Sequence, residues 1–312
     1  MTAPIISEMW PRFVLPIVRK EWFQKMTAVA SPVANLFGMD TSTSAAEYSQ
    51  GIGDTGLIPE YNSSVAEGAG AEIQYGSFNP LFEKTFTHKE YAKGIAIERK
   101  LWDDDQKGNI KRRAQNLGNA TGNTIATHQS SVFNNAFDVL YPGADLVALC
   151  SATHDTSPSN GTHIVNRGTS ALSYAAIIAT QILGLGMKAD DGTPMPVIYD
   201  TIVVPPALGP TLLEETSGAF VPGQADLTAS ALFYGGAKLK TIVDPYLTDA
   251  TNWFMIDSAQ AQMHLLWFWR VRPEMSMDPS SDYNLVAKYR VYGRWSFGWD
   301  DWKWIFGHEV AG

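Results

Sequence analysis

Few residues in this chain have the type and spacing for chemistry. Cys150, His154 and Asp155 lie close together. A thiolate beside a base would be a nucleophile. Cys150, however, ends the apolar run "LVALC", and lone cysteines of that kind are commonly buried structural residues. As the single cysteine, it excludes a disulfide framework and a thiolate zinc cluster. The six histidines are scattered, and none pairs at i, i+4 as a metal-binding helix requires. Asp103, Asp104 and Asp105 are a run of carboxylates that could hold a divalent cation. They also fit a helix start, where the helix dipole favours negative charge. Gly51–Gly56 matches G-x-G-x-x-G, but a polar stretch precedes it and Pro59 follows. The dinucleotide fingerprint needs a strand before and a helix after. Seven of the ten tryptophans fall between Trp253 and Trp304. Alternating in strands, they read as core or subunit interface and not as an exposed stacking platform. The reading therefore assigns no catalytic residue, no cofactor and no metal.

The elements that would position these residues follow from periodicity. Residues 1–50 form a mixed, extended-looking arm broken by Pro4, Pro11, Pro16 and Pro32. Residues 51–77 are rich in Gly, Ser, Ala and Glu, lack a helical period and cannot build a core. They read as a long protruding hairpin. Phe78–Arg99 is strand-like. Ile110, Ala114, Leu117, Thr121, Ile125, His128, Val132 and Ala136 recur at helical spacing. They predict one polar helix of roughly 30 residues within Leu101–Asp138, lying against a sheet. Gly118 inside it is expected to accept alanine. Ala171–Met187 predicts a buried helix capped by Thr169 or Ser170. Val197–Pro205, Lys238–Asp244 and Trp253–Asp257 predict further strands, and Pro206 opens a short helix. From Ala287 to Trp299 apolar and basic positions alternate, with Lys288, Arg290 and Arg294 on one face and Tyr289, Val291 and Trp295 on the other. That is a half-buried antiparallel strand, with His264–Arg272 as its partner. Its apolar face is expected to pack on the long helix.

Composition narrows the function. The 312 residues carry 23 basic and 32 acidic side chains, a net charge of −9. That argues against a nucleic-acid grip, which needs clustered Lys and Arg. Charged residues make up 18% of the chain while 36 residues are Phe, Tyr or Trp. Such a composition leaves apolar surface for partners to cover. No targeting segment or membrane span is legible, so a protein made and used in a reducing cytoplasm is expected.

The order of segments resembles the major capsid (head) protein of tailed bacteriophages, the Hong-Kong-type capsid fold. The stretches that carry the likeness are "LVALCSATHDTSPSNGTHIVN", with His154, Gly161 and Asn166, then "DDGTPMPVIYDTIVVPPALGPTLLEE", "KLKTIVDPYLTDATNWFMID" and the closing "WRVRPE" and "YRVYGRWSFGWDDWKWIFG". The resemblance implies an α+β chain with an N-terminal arm (1–50), an extended loop (51–77), a peripheral domain with a spine helix (78–140), an α/β axial domain (141–257) and return strands to the peripheral domain (258–312). It implies self-assembly as hexamers and pentamers into an icosahedral virion shell, formed in the host cytoplasm. That shell encloses double-stranded DNA without sequence-specific binding and has no membrane. Portal and scaffolding proteins, and decoration proteins in some members, are the implied partners. The expected inter-subunit contacts are Glu60, Tyr61, Glu67 and Tyr75 on the loop and Arg290 and Arg294 on the terminal strand. Two alternatives stay open at this point: an encapsulin-like nanocompartment shell, and a soluble thiol hydrolase using Cys150 and His154.

Overall fold

The computed structural model describes residues 10–52, 80–105, 108–157, 160–189, 192–218, 221, 230, 232, 239–278 and 285–311. The chain opens with α1 (Trp10–Ala28), a helix where the sequence reading expects an extended arm. Pro16 within it forfeits a backbone hydrogen bond. Val14, Val18 and Trp22 nevertheless recur every four residues and are buried together. Burial of that face, not intrinsic propensity, stabilises the helix.

The strands β1 (Gly38–Thr41), β2 (Ala46–Ile52), β3 (Pro80–Thr87) and β4 (Lys89–Glu98) follow. The predicted long helix divides into a short α2 (Arg99–Asp103) and the spine α3 (Asn109–Asn134). Gly108, at φ 69°, holds the left-handed turn between them. Asp105 accepts from the amides of Asn109 at 2.8 Å and Ile110 at 3.1 Å. The carboxylate run thus starts the helix, as its position on the dipole favours.

A hairpin, β5 (His154–Ser157) and β6 (Asn160–Ile164), leads to β7 (Arg167–Gly168). Next come α4 (Tyr174–Leu185), β8 (Thr201–Val204), α5 (Gly209–Ser217), β9 (Lys240–Val243) and β10 (Trp253–Ile256). Ser173 caps α4, in place of Thr169 or Ser170, accepting from Ala176 N at 3.3 Å. Nor is α4 buried all round: Ile177, Thr180 and Gly184 face inward while Ile182, Leu183 and Leu185 are exposed. The chain closes with α6 (Ser258–His264), β11 (Leu265–Met277), β12 (Val286–Trp299) and β13 (Ile305–His308).

Two sheets result. The first has the order β1-β11-β12-β4, the second β7-β13-β10-β8-β9. In the first, β12 pairs antiparallel with β11 and β4, and β1 runs parallel to β11. The alternation of β12 places Ala287, Tyr289, Val291 and Trp295 in the core and leaves Lys288 and Arg290 exposed on the opposite face. One expectation needs correction: the closing segment does not return wholly to the first sheet. β13 crosses into the second, between β7 and β10.

Spine helix α3 serves both sheets. Its N-terminal half packs with α1 against Ile97, Met275 and Tyr289. Its C-terminal end reaches the second sheet, where Phe133 meets Phe254 with ring centroids 5.5 Å apart. There Ser130 Oγ donates to Asp244 at 2.5 Å.

Helices α1 and α3 approach closely enough to exclude side chains. A Cβ on Gly118 would lie 2.4 Å from the Trp22 carbonyl oxygen, and one on Gly122 would lie 2.6 Å from Val29 Cβ. This reverses the expectation that Gly118 accepts alanine. Alanine gains up to ~1 kcal/mol in helix propensity, but overpacking against backbone costs about 1–3 kcal/mol. Gly118→Ala is expected to lower unfolding free energy, while Thr127→Ala, on the exposed side of α3, is expected to leave it unchanged or slightly raised. Chemical denaturation of both variants checks the pair; equal stability of the two would contradict the close approach.

Candidate functional site

The Cys150–His154 corner is built by the loop after α3. Cys150 N donates to Ala136 O at 2.7 Å, which folds the loop back onto the end of the spine. The thiol is fully buried against Gly307, where a Cβ would stand 2.6 Å from its sulfur. Burial pushes that thiol well above its ordinary pKa. His154 is buried and stacks on Trp302, centroids 4.3 Å apart at 14°. Both of its ring nitrogens are engaged, Nδ1 with Asp145 Oδ2 at 2.5 Å and Nε2 with Leu149 O at 3.2 Å. Asp155 pairs instead with His163, at 2.9 Å. The three residues do not form a nucleophile–base pair, so the hydrolase geometry is not there.

The corner ties strands together. Asn166 is fully buried; its Nδ2 donates to Leu149 O at 2.8 Å and Ile305 O at 3.2 Å, and its Oδ1 accepts from Ser151 N at 2.7 Å. His154 and Asn166 thus meet on the Leu149 carbonyl, locking the loop to β13. The other candidates resolve similarly. Asp103 pairs with Arg99 at 3.0 Å, and among the described residues no group of three metal-ligating side chains exists. Gly51 and Ile52 lie in β2, and residues 53–56 of the glycine motif fall outside the described residues. The tryptophans of the last third pack in the core: Trp253, Trp267 and Trp304 are fully buried.

The second arrangement, which sequence reasoning missed, is the root of the β2–β3 hairpin. His88 sits between the two hairpin ends and the sheet. Its Nε2 meets Ser42 Oγ at 2.9 Å, its Nδ1 meets Ser296 Oγ at 2.9 Å, and Ser42 also hydrogen-bonds Glu47. Burial, then the charge of Arg294, keeps His88 below its ordinary pKa. Higher on the hairpin, Lys84 Nζ donates to Pro142 O at 2.6 Å, and Ser49 Oγ to Asp300 Oδ2 at 2.5 Å. No local signal in the sequence links Ser42, His88 and Ser296; only the register of β12 brings them together. Of the expected contact residues, Arg290 is exposed and Arg294 half-buried, both on the face of β12 turned away from α3. Glu60, Tyr61, Glu67 and Tyr75 lie outside the described residues.

Comparison with known proteins follows the same lines. A sequence model of the family described as phage capsid protein matches residues 82–306. Among solved structures, the capsid of the cyanophage P-SCSP1u aligns with a TM-score of 0.57 at 10% identity, covering 91% of this chain and 89% of that one. A chain from Mycobacterium phage Adephagia aligns at 0.53 and 13% identity over 91% of both chains. The capsid of an empty GTA particle computed with C5 symmetry aligns at 0.52 and 14% identity over 90% of both. At these identities the likeness is one of fold. No curated protein sequence matches the chain.

Two outcomes test the scaffold role of these residues. Cys150 is expected to resist alkylation in the native protein and to react fully on unfolding; rapid native labelling would contradict its burial. His308 lies 5% exposed against Trp253, and burial lowers its pKa to about 4. The unfolded value is near 6.5. The native state therefore refuses a proton that the unfolded chain takes up. Stability from this site is complete above pH ~6.5 and is lost as pH falls toward 4, at up to ~1.4 kcal/mol per pH unit. His308→Gln is expected to flatten that slope in denaturation curves between these pH values. Parallel curves for the two proteins would contradict it.

Proposed function

The chain belongs to the phage capsid protein family, and from that premise we propose that it assembles as hexamers and pentamers into an icosahedral shell around double-stranded DNA. The observation that carries this reading is the fold likeness, which runs through about nine-tenths of this chain and of the capsid chains it aligns with. On this reading the five-stranded sheet with α4 and α5 is the axial part, and the four-stranded sheet with α3 is the peripheral part. The segment 53–79 extends over a neighbouring subunit. The role is structural and not catalytic. Portal and scaffolding proteins act with it during assembly.

Surface chemistry supports assembly. Ile182, Leu183 and Leu185 on α4, with Ile198 beside them in sequence order before β8, are all exposed in the single chain. So are Val139, Leu140 and Leu146 in the loop after α3. Exposed apolar side chains of this size favour coverage by a partner. Closed shells need heterologous contacts that form rings of five and of six. Contacts made by a projecting segment adjust to both geometries while the sheets stay rigid. Each contact can be modest, because simultaneous contacts raise one another's effective concentration. A net charge of −9 also keeps the wall from gripping the genome by counterion release.

Purified protein is expected to form rings or closed shells, visible by negative-stain electron microscopy. A stable monomer under all salt and scaffold conditions would overturn the reading. Deleting Glu60–Gly76 is expected to leave the thermal unfolding of the subunit unchanged and to abolish shells. Shells of normal stability from the deletion variant would contradict the role given to the segment.

A further inference from the structure

Polar contacts of different kinds tie the β2–β3 hairpin to the rest of the subunit. At its base His88 sits between Ser42 and Ser296, and on β3 Lys84 donates to Pro142 O. On β2 the tie runs through one carboxylate. Asp300, just after β12, accepts from Ser49 Oγ at 2.5 Å through Oδ2 and from His264 Nδ1 at 2.9 Å through Oδ1. His264 ends α6, and its carbonyl accepts from Asp300 N at 3.2 Å. The hairpin therefore reaches α6 through a single side chain, and the histidine holds that side chain in position.

The surroundings of His264 favour a proton on its ring. It faces two carboxylates, Asp300 and Asp301, and one cation, Lys303, which lies 3.6 Å from Asp301. Of the elements packed on α6, Ala34–Leu36 has no charged residue, and β11 is uncharged from Leu265 to Trp269. β1 has Asp40, which hydrogen-bonds the Thr41 amide, and Asp257 caps the far end of α6. Desolvation opposes the charge, but the hydrogen bond to Asp300 and the charges of Asp301 and Asp300 outweigh it and raise the pKa above its ordinary value. A protonated ring donates from both nitrogens. A neutral ring carries hydrogen on one only, and with that hydrogen on Nε2 a lone pair faces the carboxylate. The charged pair is therefore complete below pH ~6.5 and is lost as pH rises through the higher native value. His88 does not titrate in that range. Burial, then the charge of Arg294, lowers its pKa, with Glu47 opposing and Arg270 adding to the shift.

We propose that His264, Asp300 and Ser49 form a proton-operated latch on the hairpin: a charged His264 fixes Asp300 in place for Ser49, and loss of that proton frees β2. The latch belongs to the single subunit and does not depend on the shell reading. It gives the hairpin two states that differ by one proton and by how firmly β2 is held.

Hydrogen exchange in the full-length protein tests it. Exchange at the β2 amides of Tyr48, Ser49 and Gln50, corrected for the intrinsic rate and referred to β10, is expected to rise ~threefold between about pH 6 and about pH 8.5. The size is modest because His264 is partly exposed. Ser49→Ala leaves the His264–Asp300 pair intact. It is expected to remove the pH dependence from β2 while the His264 ring, followed by NMR, still titrates at its raised value. His264→Gln is expected to give fast β2 exchange at every pH, and His264→Arg, a permanent cation, to give slow exchange at every pH. Wild-type β2 exchange that does not change with pH would overturn the latch. So would a pH dependence that persists in Ser49→Ala, because Asp300 would then not be the link. Persistence in His264→Gln would overturn it too, by assigning the effect to Lys84, whose pKa burial lowers.

Discussion

The structure depends on one continuous aromatic stretch of chain, Leu265 to His308, that belongs to both sheets. Strands β11 and β12 pair Trp267 with Phe297 and Trp269 with Trp295. Trp267 and Phe297 stack at 5.2 Å, and Tyr91 stacks on Trp295 at 4.1 Å. After Trp299 the chain turns through Trp302 and Trp304 and enters the second sheet as β13. Asp301 shapes that turn, accepting from the amides of Trp302 at 2.6 Å and Lys303 at 3.1 Å. A single buried cluster therefore runs from Trp295 to Ile256. Close-packed interiors transmit strain instead of absorbing it, so the sheets behave as one rigid unit. Adaptation to different neighbours falls to what stands outside that cluster.

Buried polar residues fix the joints of this unit. Asn166 binds the loop after α3 to β13, and His88 binds both ends of the β2–β3 hairpin to β12. A polar group in the interior is expensive unless matched. These contacts therefore select one register and one hairpin direction.

Much of this was legible in the residues. The two-residue period of Ala287–Trp299 identified the central strand and its faces, since a half-buried strand must alternate. The thin stripe of α3 identified a helix lying on a sheet. Other features were hidden by non-local effects. Val14, Val18 and Trp22 carry a helical period, but four prolines obscured it, and only contact with α3 stabilises α1. Gly118 and Gly122 look like helix weaknesses in sequence, and their use as the seam for α1 appears only in three dimensions. The exposed side of α4 reads as core because its sequence is apolar throughout. Nothing in the local pattern of Ile305–His308 says which sheet it joins.

The central claim is that this two-sheet unit forms the wall of an icosahedral shell. A cryo-electron microscopy reconstruction of the assembled particle tests it most directly. The account predicts an icosahedral shell in which both sheets keep their internal arrangement in every subunit. Particles without icosahedral symmetry, or a shell in which the two sheets separate between subunits of different symmetry, would contradict it.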